Sequence, residues 1–374
     1  MKILVLTKRQ YMGKDLLDDR FGRFWELPLE LARRGHEIRG ISLSYRKKSE
    51  GSSTPSLGAG TGNITWHSVN LLNAPWLGPR RYFRLVRQIM GDFRPAVIWA
   101  GSDAYHAIFA HRLAKDSSAK LVVDLYDNFE SYPATSIPGV LALFKRAVKA
   151  ADGVTCVSSQ LVNYIAERYQ SRAPALLLEN AIRTDLFRPM ERAACRRQLG
   201  LPSAANIIGT AGALYASRGI DTLYRGFAIL AAENPNLHLA LAGPRRSASG
   251  IPRGKRIHDF GALPLDKVSV LFNALDVAVV CNRDSSFGRY NFPQKAREII
   301  ACGTALVAAE VGAMKAILRD HRQCLFAPDD PVSLAAAIRM QLAQPTSLDH
   351  KVPAWSDLAA QLETFLLNAS RSRA

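Results

Sequence analysis

The sequence holds little that would support covalent cross-links, metal scaffolding or membrane spanning. Its five cysteines (Cys156, Cys195, Cys281, Cys302 and Cys324) are isolated, odd in number and mostly set in apolar runs. No Cys-x-x-Cys pair occurs, which argues against a zinc site or a disulfide framework and fits a reducing cytosol. No stretch reaches the roughly 18 consecutive apolar residues of a membrane span. The opening run Met1–Thr7 is too short for the apolar core of a signal peptide, and Lys8 and Arg9 follow at once; it reads as a buried strand. Also absent are a Gly-x4-Gly-Lys-Ser/Thr loop, a His-Glu-x-x-His helix and a Gly-x-Ser-x-Gly turn. Kinase, zinc-protease and hydrolase chemistry thereby lose their main supports.

What remains is an ordinary globular composition in 374 residues, 48% hydrophobic and 22% charged, enough for two domains and possibly three. Acidic residues are scarce relative to basic ones, and the formal net charge is +17. Residues 1–190 carry 27 basic and 17 acidic side chains and the remainder 22 and 15, so the excess is not confined to a tail. Such a field favours anionic partners: nucleic acid, phosphorylated substrates or acidic lipid.

Short apolar runs alternate with amphipathic stretches. Strands are expected at 2–7, 37–44, 64–69, 96–100, 120–125, 153–157 and 175–178, separated by helical patterns such as Phe24–Arg34, Arg80–Gly91, Tyr105–Lys115 and Gln160–Tyr169. The pattern then restarts, with strands at 206–210, 237–242, 257–260, 276–281, 305–309 and 324–326 and helices at 219–232, 266–274, 294–301 and 332–342. This predicts an α/β protein with two Rossmann-like parallel-sheet domains facing across a cleft, residues 1–188 and 189–353. A last helix, 354–374, is expected to cross back onto the first domain. The Ser- and Gly-rich segment Lys47–Asn63 contains Gly58-x-Gly60-x-Gly62, but it precedes a strand and opens no helix, so it reads as a surface loop rather than a phosphate loop.

Open parallel sheets bind ligands beyond the carboxyl ends of their strands, and helix N-termini there suit phosphate. Two segments fit such a place. In Phe287–Thr304, Pro293 suits the first helical position and Gly303 the helix stop. Lys295 and Glu298 then share one face in the first turns. A cation in a first turn is locally unfavourable unless a polyanion binds beside it, and Glu298 could accept two hydrogen bonds from a ribose diol. The same spacing also fits a surface i,i+3 ion pair. In Gly212–Asp221, Gly219 opens a helix and Arg218 would stand at its N-terminus, where a guanidinium can grip a diphosphate; it could equally be a solvated arginine before a helix.

Taken in order, these pieces resemble the family-4 (group 1) glycosyltransferases of the two-domain GT-B class. Asn180-x6-Phe187-x-Pro189 resembles the family's inter-domain segment, with Ala181 and Arg183 in place of its usual Gly and Asp. Gly212-x-Leu214…Arg218-Gly219 resembles "Gly-Arg-Leu-x-x-x-Lys-Gly", with Ala213 where the first Arg often stands and Arg218 for the Lys. Pro293-x-Lys295-x-x-Glu298…Ala301-Cys302-Gly303 resembles the nucleotide motif. Phe24–Arg34 followed by Gly35-His36-Glu37 is similar to the family's first helix and turn, and Trp355-Ser356 to its crossing-back segment. One departure is plain: the family's upstream Glu, which usually positions the donor sugar, is Tyr290 here.

The resemblance implies a glycosyltransferase that moves a sugar from a nucleotide diphosphate to an acceptor hydroxyl, retaining and metal-independent, in polysaccharide or glycolipid biosynthesis. No cofactor is expected beyond a UDP- or GDP-linked sugar as co-substrate. Arg218 and Lys295 would meet the developing charge on the leaving phosphate, and Glu298 the ribose. Gly22, Gly219, Asn291 and Phe292 would also line the nucleotide-sugar site. Asp127, after the strand 120–125, is the acceptor-side candidate; its neighbour Asp124 also reads as a turn or cap residue. The loop Asp18–Arg23 would touch donor phosphate or acceptor, or be merely a solvated charged loop.

Trp76–Arg87 mixes aromatic residues with four arginines, as a basic amphipathic helix on an anionic bilayer would, and also as a sheet-covering helix with a solvated basic face would. Arg46-Lys47-Lys48 would add to the attraction. A cytoplasmic protein, peripheral at the inner membrane face and acting on a glycan or lipid-linked acceptor, is the expectation. The alternatives are a nucleotide-sugar epimerase or phosphorylase on the same plan, and a non-catalytic protein that keeps the fold. A nucleic-acid binder is suggested by charge alone, without any recognisable module, so no nucleic-acid partner is expected.

Overall fold

The computed structural model describes residues 1–11, 14–72, 77–245, 252–348 and 352–371. The chain divides into two compact units, Met1–Asn180 with Trp355–Ala374, and Ala181–Ala354. The second unit begins at Ala181 rather than at 189, because Ile182 and Phe187 are buried in its core.

In the first unit the strands are β1 (Lys2–Lys8), β2 (Gln10–Tyr11), β3 (Lys14–Asp15), β4 (Glu37–Ser44), β5 (Gly51–Ser53), β6 (Asn63–Asn70), β7 (Val97–Gly101), β8 (Lys120–Leu125), β9 (Gly153–Cys156) and β10 (Ala175–Leu177). The helices between them are α1 (Arg23–Arg33), α2 (Leu77–Phe93), α3 (Ala104–Lys115), α4 (Val140–Lys149) and α5 (Ser159–Tyr169). Eight strands form one sheet in the order β10-β9-β8-β7-β1-β4-β6-β5. All pairs are parallel except β5–β6. The central strands are continuous apolar runs, Ile3 to Leu6 and Val97 to Ala100 being fully buried, as a sheet covered on both faces requires.

The second unit contains α6 (Arg192–Leu199), β11 (Asn206–Ala211), α7 (Ile220–Glu233), β12 (Leu237–Ala242), β13 (Ile257–Asp259), α8 (Leu265–Ala274), β14 (Val277–Val280), α9 (Gln294–Ala301), β15 (Ala305–Ala309), α10 (Ala313–Ile317), β16 (Leu325–Phe326) and α11 (Pro331–Ala343). Its six-stranded sheet is wholly parallel, ordered β13-β12-β11-β14-β15-β16. Apolar clusters lie on both faces: Leu271, Phe272, Ile299 and Met314 in one, Leu223, Phe227, Leu334 and Ile338 in the other. The order steps outward in both directions from β11 and β14, so the loops that leave the carboxyl ends of these two strands diverge and leave room for a ligand.

The last helix, α12 (Trp355–Arg371), packs on α1 and on β7, β8 and β9 of the first unit. It buries Trp355, Leu358, Leu362 and Leu366. Glu363 accepts from both Arg34 Nε and His36 Nε2, each at 2.7 Å.

Two sequence expectations shift. Pro293 is the N-cap of α9, not its first residue, since its ψ of 90° is extended. The segment 47–63 is not loop throughout, because β5 pairs with β6 at the sheet edge. Within that segment Gly62 is packed against the end of α1, donating to Ala32 O at 3.0 Å. All five cysteines are buried and unpaired.

Candidate functional site

Two clusters stand out, one in each unit. In the second unit, the chain leaves β11 at Gly212, turns through a 3-10 turn over Ala216–Arg218, and enters α7 from Gly219, whose φ of +76° makes the reversal. Gly212 has φ +110° and donates to Ala242 O at 2.9 Å. A Cβ on Gly243 would stand 1.8 Å from Gly212 O, and one on Gly212 would stand 3.2 Å from Lys295 Nζ. Glycine at both positions lets the two strand ends close up and lets the Lys295 ammonium lie against bare backbone.

Lys295 is in the first turn of α9, as its spacing predicts. Among the described residues its Nζ has no hydrogen-bond or ion-pair partner, so no Lys295–Glu298 surface ion pair forms. Burial pulls its ammonium below the usual lysine range; Cys281 and Glu298 oppose this and the Arg218 charge adds to it. That mutual influence places Arg218 and Lys295 in one electrostatic neighbourhood. The Arg218 guanidinium lies 3.3 Å from the centre of the Phe287 ring, a stacking that fixes the plane of its donors. Glu298 is buried, 8% exposed. Burial raises its carboxyl to about 7 against the opposing pull of Lys295 and of Gln294, whose Nε2 donates to Oε1 at 3.3 Å.

Arg283, which the sequence did not single out, holds this corner together. It donates to Ala216 O at 2.8 Å and to Asp221 at 2.7 Å, and pairs with Asp329 at 3.0 Å. The loop after β14 is thereby tied to the Arg218 turn. Asn291 is buried, and among the described residues its Oδ1 has no hydrogen-bond partner. The Phe292 side chain is packed inward under the Arg297 guanidinium, 4.6 Å from its ring centre, so its ring is a packing element. Arg218, Gly219, Asn291, Phe292, Lys295 and Glu298 all belong to this second unit; Gly22 and Asp127 belong to the first.

In the first unit the carboxyl ends of β1, β7 and β8 surround a small hollow, whose lining includes Lys8, Tyr11, Phe21, Gly22, Ser102 and Tyr126. Gly22 caps α1 with φ +91°. Ser102 is buried and non-glycine at φ +84°, a conformation costing about 1–3 kcal/mol that surrounding contacts must hold. Those contacts are present: Lys8 N donates to Ser102 Oγ at 2.9 Å and Tyr126 OH to Ser102 O at 3.0 Å. Asp127 is buried and accepts from Tyr132 OH at 2.8 Å. Asp124 is not a turn or cap residue: it is fully buried, pairs with Arg23 at 3.0 Å and accepts from Thr155. Removing one partner of such a pair costs about 3–5 kcal/mol. Asp18 is bound by Arg9 at 2.6 Å and Lys48 at 2.8 Å, so it is not a merely solvated charge.

On α2, Tyr82, Val86, Ile89 and Phe93 are buried, while Leu77, Phe83, Arg80, Arg81, Arg84 and Arg87 are exposed. Arg81 is paired with Glu50 and Lys48 with Asp18, which takes two charges out of the basic face. Trp76 lies outside the described residues. No helix among the described residues is long and apolar enough to cross a membrane, and none of their His, Cys, Asp and Glu side chains gather in a group of three that could hold a metal ion.

Two α/β units of this topology, each with a cluster at the carboxyl ends of its strands, define the GT-B class of fold. Solved structures agree: sucrose-phosphate synthase from Thermosynechococcus elongatus is similar with a TM-score of 0.77 at 18% identity, over 98% of both chains. The Anabaena protein HepE in complex with UDP is similar with a TM-score of 0.67 at 17% identity, over 99% of this chain and 98% of that one.

Within that class the chain belongs to the group 1 glycosyltransferases. Residues 205–344 match the model "Glycosyl transferases group 1", and residues 23–181 match "Glycosyl transferase 4-like domain". Among curated relatives, the D-inositol 3-phosphate glycosyltransferase of Thermobispora bispora is 27% identical over 64% of this chain and 57% of its own. That of Saccharomonospora viridis is 30% identical over 59% and 52%. The chain thus spans about half the length of the curated relatives it matches.

Proposed function

We propose that the protein transfers a sugar from a nucleotide diphosphate to an acceptor hydroxyl. The observation that carries this reading is the unpartnered Lys295 ammonium, laid on the bare backbone of Gly212 and sharing its surroundings with Arg218 and Glu298. A desolvated cation with donors to spare is suited to an oxyanion that gains charge as a bond breaks. In the reaction the bond from the anomeric carbon to the diphosphate breaks, and its electron pair leaves with the diphosphate. The acceptor oxygen bonds to that carbon on the face being vacated, and its proton passes to the departing phosphate oxygen. Retention follows from this route, which demands orientation more than a strong base. Lys295 and Arg218 would neutralise the leaving group in place of a metal, Glu298 would accept from the ribose diol, and the orphaned Asn291 Oδ1 would accept from a donor hydroxyl. The neighbours solved with UDP and the relatives named as glycosyltransferases support this reading.

A thermal-shift series with UDP, GDP and their hexose conjugates is the test. At 100 times Kd a ligand stabilises by about 2.7 kcal/mol. A shift with one nucleotide family, lost in Lys295→Ala, is expected, together with a fall in transfer rate of about 10²–10³-fold. No shift with either family, or a Lys295→Ala variant that transfers as well as the parent, overturns the reading. Epimerised or hydrolysed donor without added acceptor would move it to the isomerase class.

The acceptor we infer is a glycan, free or lipid-linked, with the protein peripheral at an anionic membrane surface. The exposed Leu77, Phe83 and arginines of α2 support this, since such a face combines apolar insertion with charge attraction. Sedimentation with phosphatidylglycerol vesicles is expected at low salt and lost at high salt; no pelleting at low salt ends the idea.

A further inference from the structure

Arg218 has an aromatic ring beneath its guanidinium that its own sequence segment does not announce. The guanidinium carbon lies 3.3 Å from the centre of the Phe287 ring, which comes from the loop between β14 and α9. Both side chains are half-buried. Among the described residues Phe287 belongs to neither apolar cluster of the second unit, so core packing does not account for the ring; it meets the arginine instead. The loop that presents it is held by its own hydrogen bonds. Gly288 N donates to Ser285 Oγ at 3.1 Å, Arg289 N to Ser285 O at 2.9 Å and Asn291 N to Phe287 O at 3.1 Å. A Cβ on Gly288 would stand 2.0 Å from Arg283 O, and glycine there lets the loop close on itself. From the same loop Arg283 donates to Ala216 O at 2.8 Å, in the turn that carries Arg218. One loop therefore holds both the side chain and the backbone of the Arg218 turn.

Electrostatics gives the ring a purpose. Arg218 and Lys295 are close enough for the guanidinium charge to disfavour the ammonium. With no anion between them, two neighbouring cations repel, and an arginine without support would swing away. The face of a phenyl ring is negative and attracts a guanidinium laid on it, which offsets that repulsion. At 3.3 Å there is room only for a face-on contact, so the N–H donors lie alongside the ring rather than pointing into it. Donors confined to one plane suit two oxygens of a diphosphate gripped together, which the point charge of a lysine cannot do.

We propose that Phe287 is a positioning residue for Arg218, holding its guanidinium ready for the paired oxygens of a nucleoside diphosphate. The inference rests on the transferase reading and deepens it: Phe287 acts through Arg218 and favours diphosphate over monophosphate. Calorimetric titration would use UDP and GDP, with UMP and GMP beside them, on the parent, Phe287→Leu, Phe287→Tyr, Arg218→Lys and the double variant of Phe287→Leu with Arg218→Lys. For the diphosphate that the parent binds, Phe287→Leu should weaken affinity at least fivefold while the matching monophosphate changes less than twofold. Phe287→Tyr, which keeps the ring, should stay within twofold of the parent. Arg218→Lys should cost at least tenfold in the parent but less than threefold where Phe287 is already replaced, the non-additivity of side chains that act together. An unchanged diphosphate affinity in Phe287→Leu, equal losses for diphosphate and monophosphate, or losses that simply multiply in the double variant overturns the proposal and leaves the transferase reading standing. A parent that binds no nucleoside diphosphate overturns that reading, and the positioning role with it.

Discussion

Glu298 is the residue whose chemistry most directly reports on the site. Its carboxyl titrates near 7 because burial disfavours the charge more than Lys295 and Gln294 favour it. The sign of the consequence is fixed. With a folded value above the unfolded one, the native state holds the extra proton, so stability falls as pH rises from about 4.5 to about 7. Glu298→Gln mimics the protonated form. At pH 8 it should be more stable than the parent by about 1–3 kcal/mol in the absence of nucleotide, with the gap vanishing below pH 5, read from denaturant curves. Affinity should move the other way: if the carboxylate accepts from ribose, UDP binds the parent more tightly as pH rises through 7, and in Glu298→Gln this step is gone. Calorimetry across pH 6 to 8 separates the two effects. The spacing of Lys295 and Glu298 was legible in the sequence, but not that both are desolvated. For Lys295 that follows from the closeness of Gly212 and Cys281, residues far apart along the chain.

At the level of elements, two glycines at strand ends make contrasting demands. Gly243 follows β12, and its missing Cβ is what lets Gly212 O approach. Gly243→Ala meets main chain that cannot yield and should cost about 2 kcal/mol or more. Gly212→Ala meets only the tip of Lys295, so beyond the strain of its positive φ, about 1 kcal/mol, its main effect should be a displaced ammonium and a UDP affinity weaker by about tenfold. Denaturation midpoints and UDP titrations on the two variants would show the reversed ranking. Strands β4, β8, β12 and β15 keep the bounds expected of them, and β15, Ala-Leu-Val-Ala-Ala, is the uninterrupted apolar run that a sheet buried on both faces favours. The elements hidden from sequence lacked such a run. β5 is Gly-Ser-Ser at an exposed edge, and α6 is mostly polar and held by Glu191 accepting from Ala193 and Ala194 N–H. The pair β2–β3 joins two strands of two residues each, beside the buried Arg9–Asp15 contact.

For the whole molecule, the second unit is continuous in sequence and the first is not, because α12 returns to it. Deleting residues 355–371 removes the buried faces of Trp355, Leu358, Leu362 and Leu366 from α1 and the central strands. A loss of about 5 kcal/mol or more from the first unit is expected, comparable with the whole stability of a domain. The second unit should keep its transition and its UDP response, so calorimetric scans would show one transition lost and one retained. By itself the sequence determined the periodic features: two parallel α/β units, the start of α9, and the family to which the motifs point. These are local, since apolar runs, caps and turn residues act through near neighbours in the chain. Only the tertiary structure decided which side chains were left with unmet valences. Whether Lys295 or Asn291 finds a partner depends on groups brought in from other strand ends, and burial, which sets the protonation of Glu298, is a property of packing that no single segment carries.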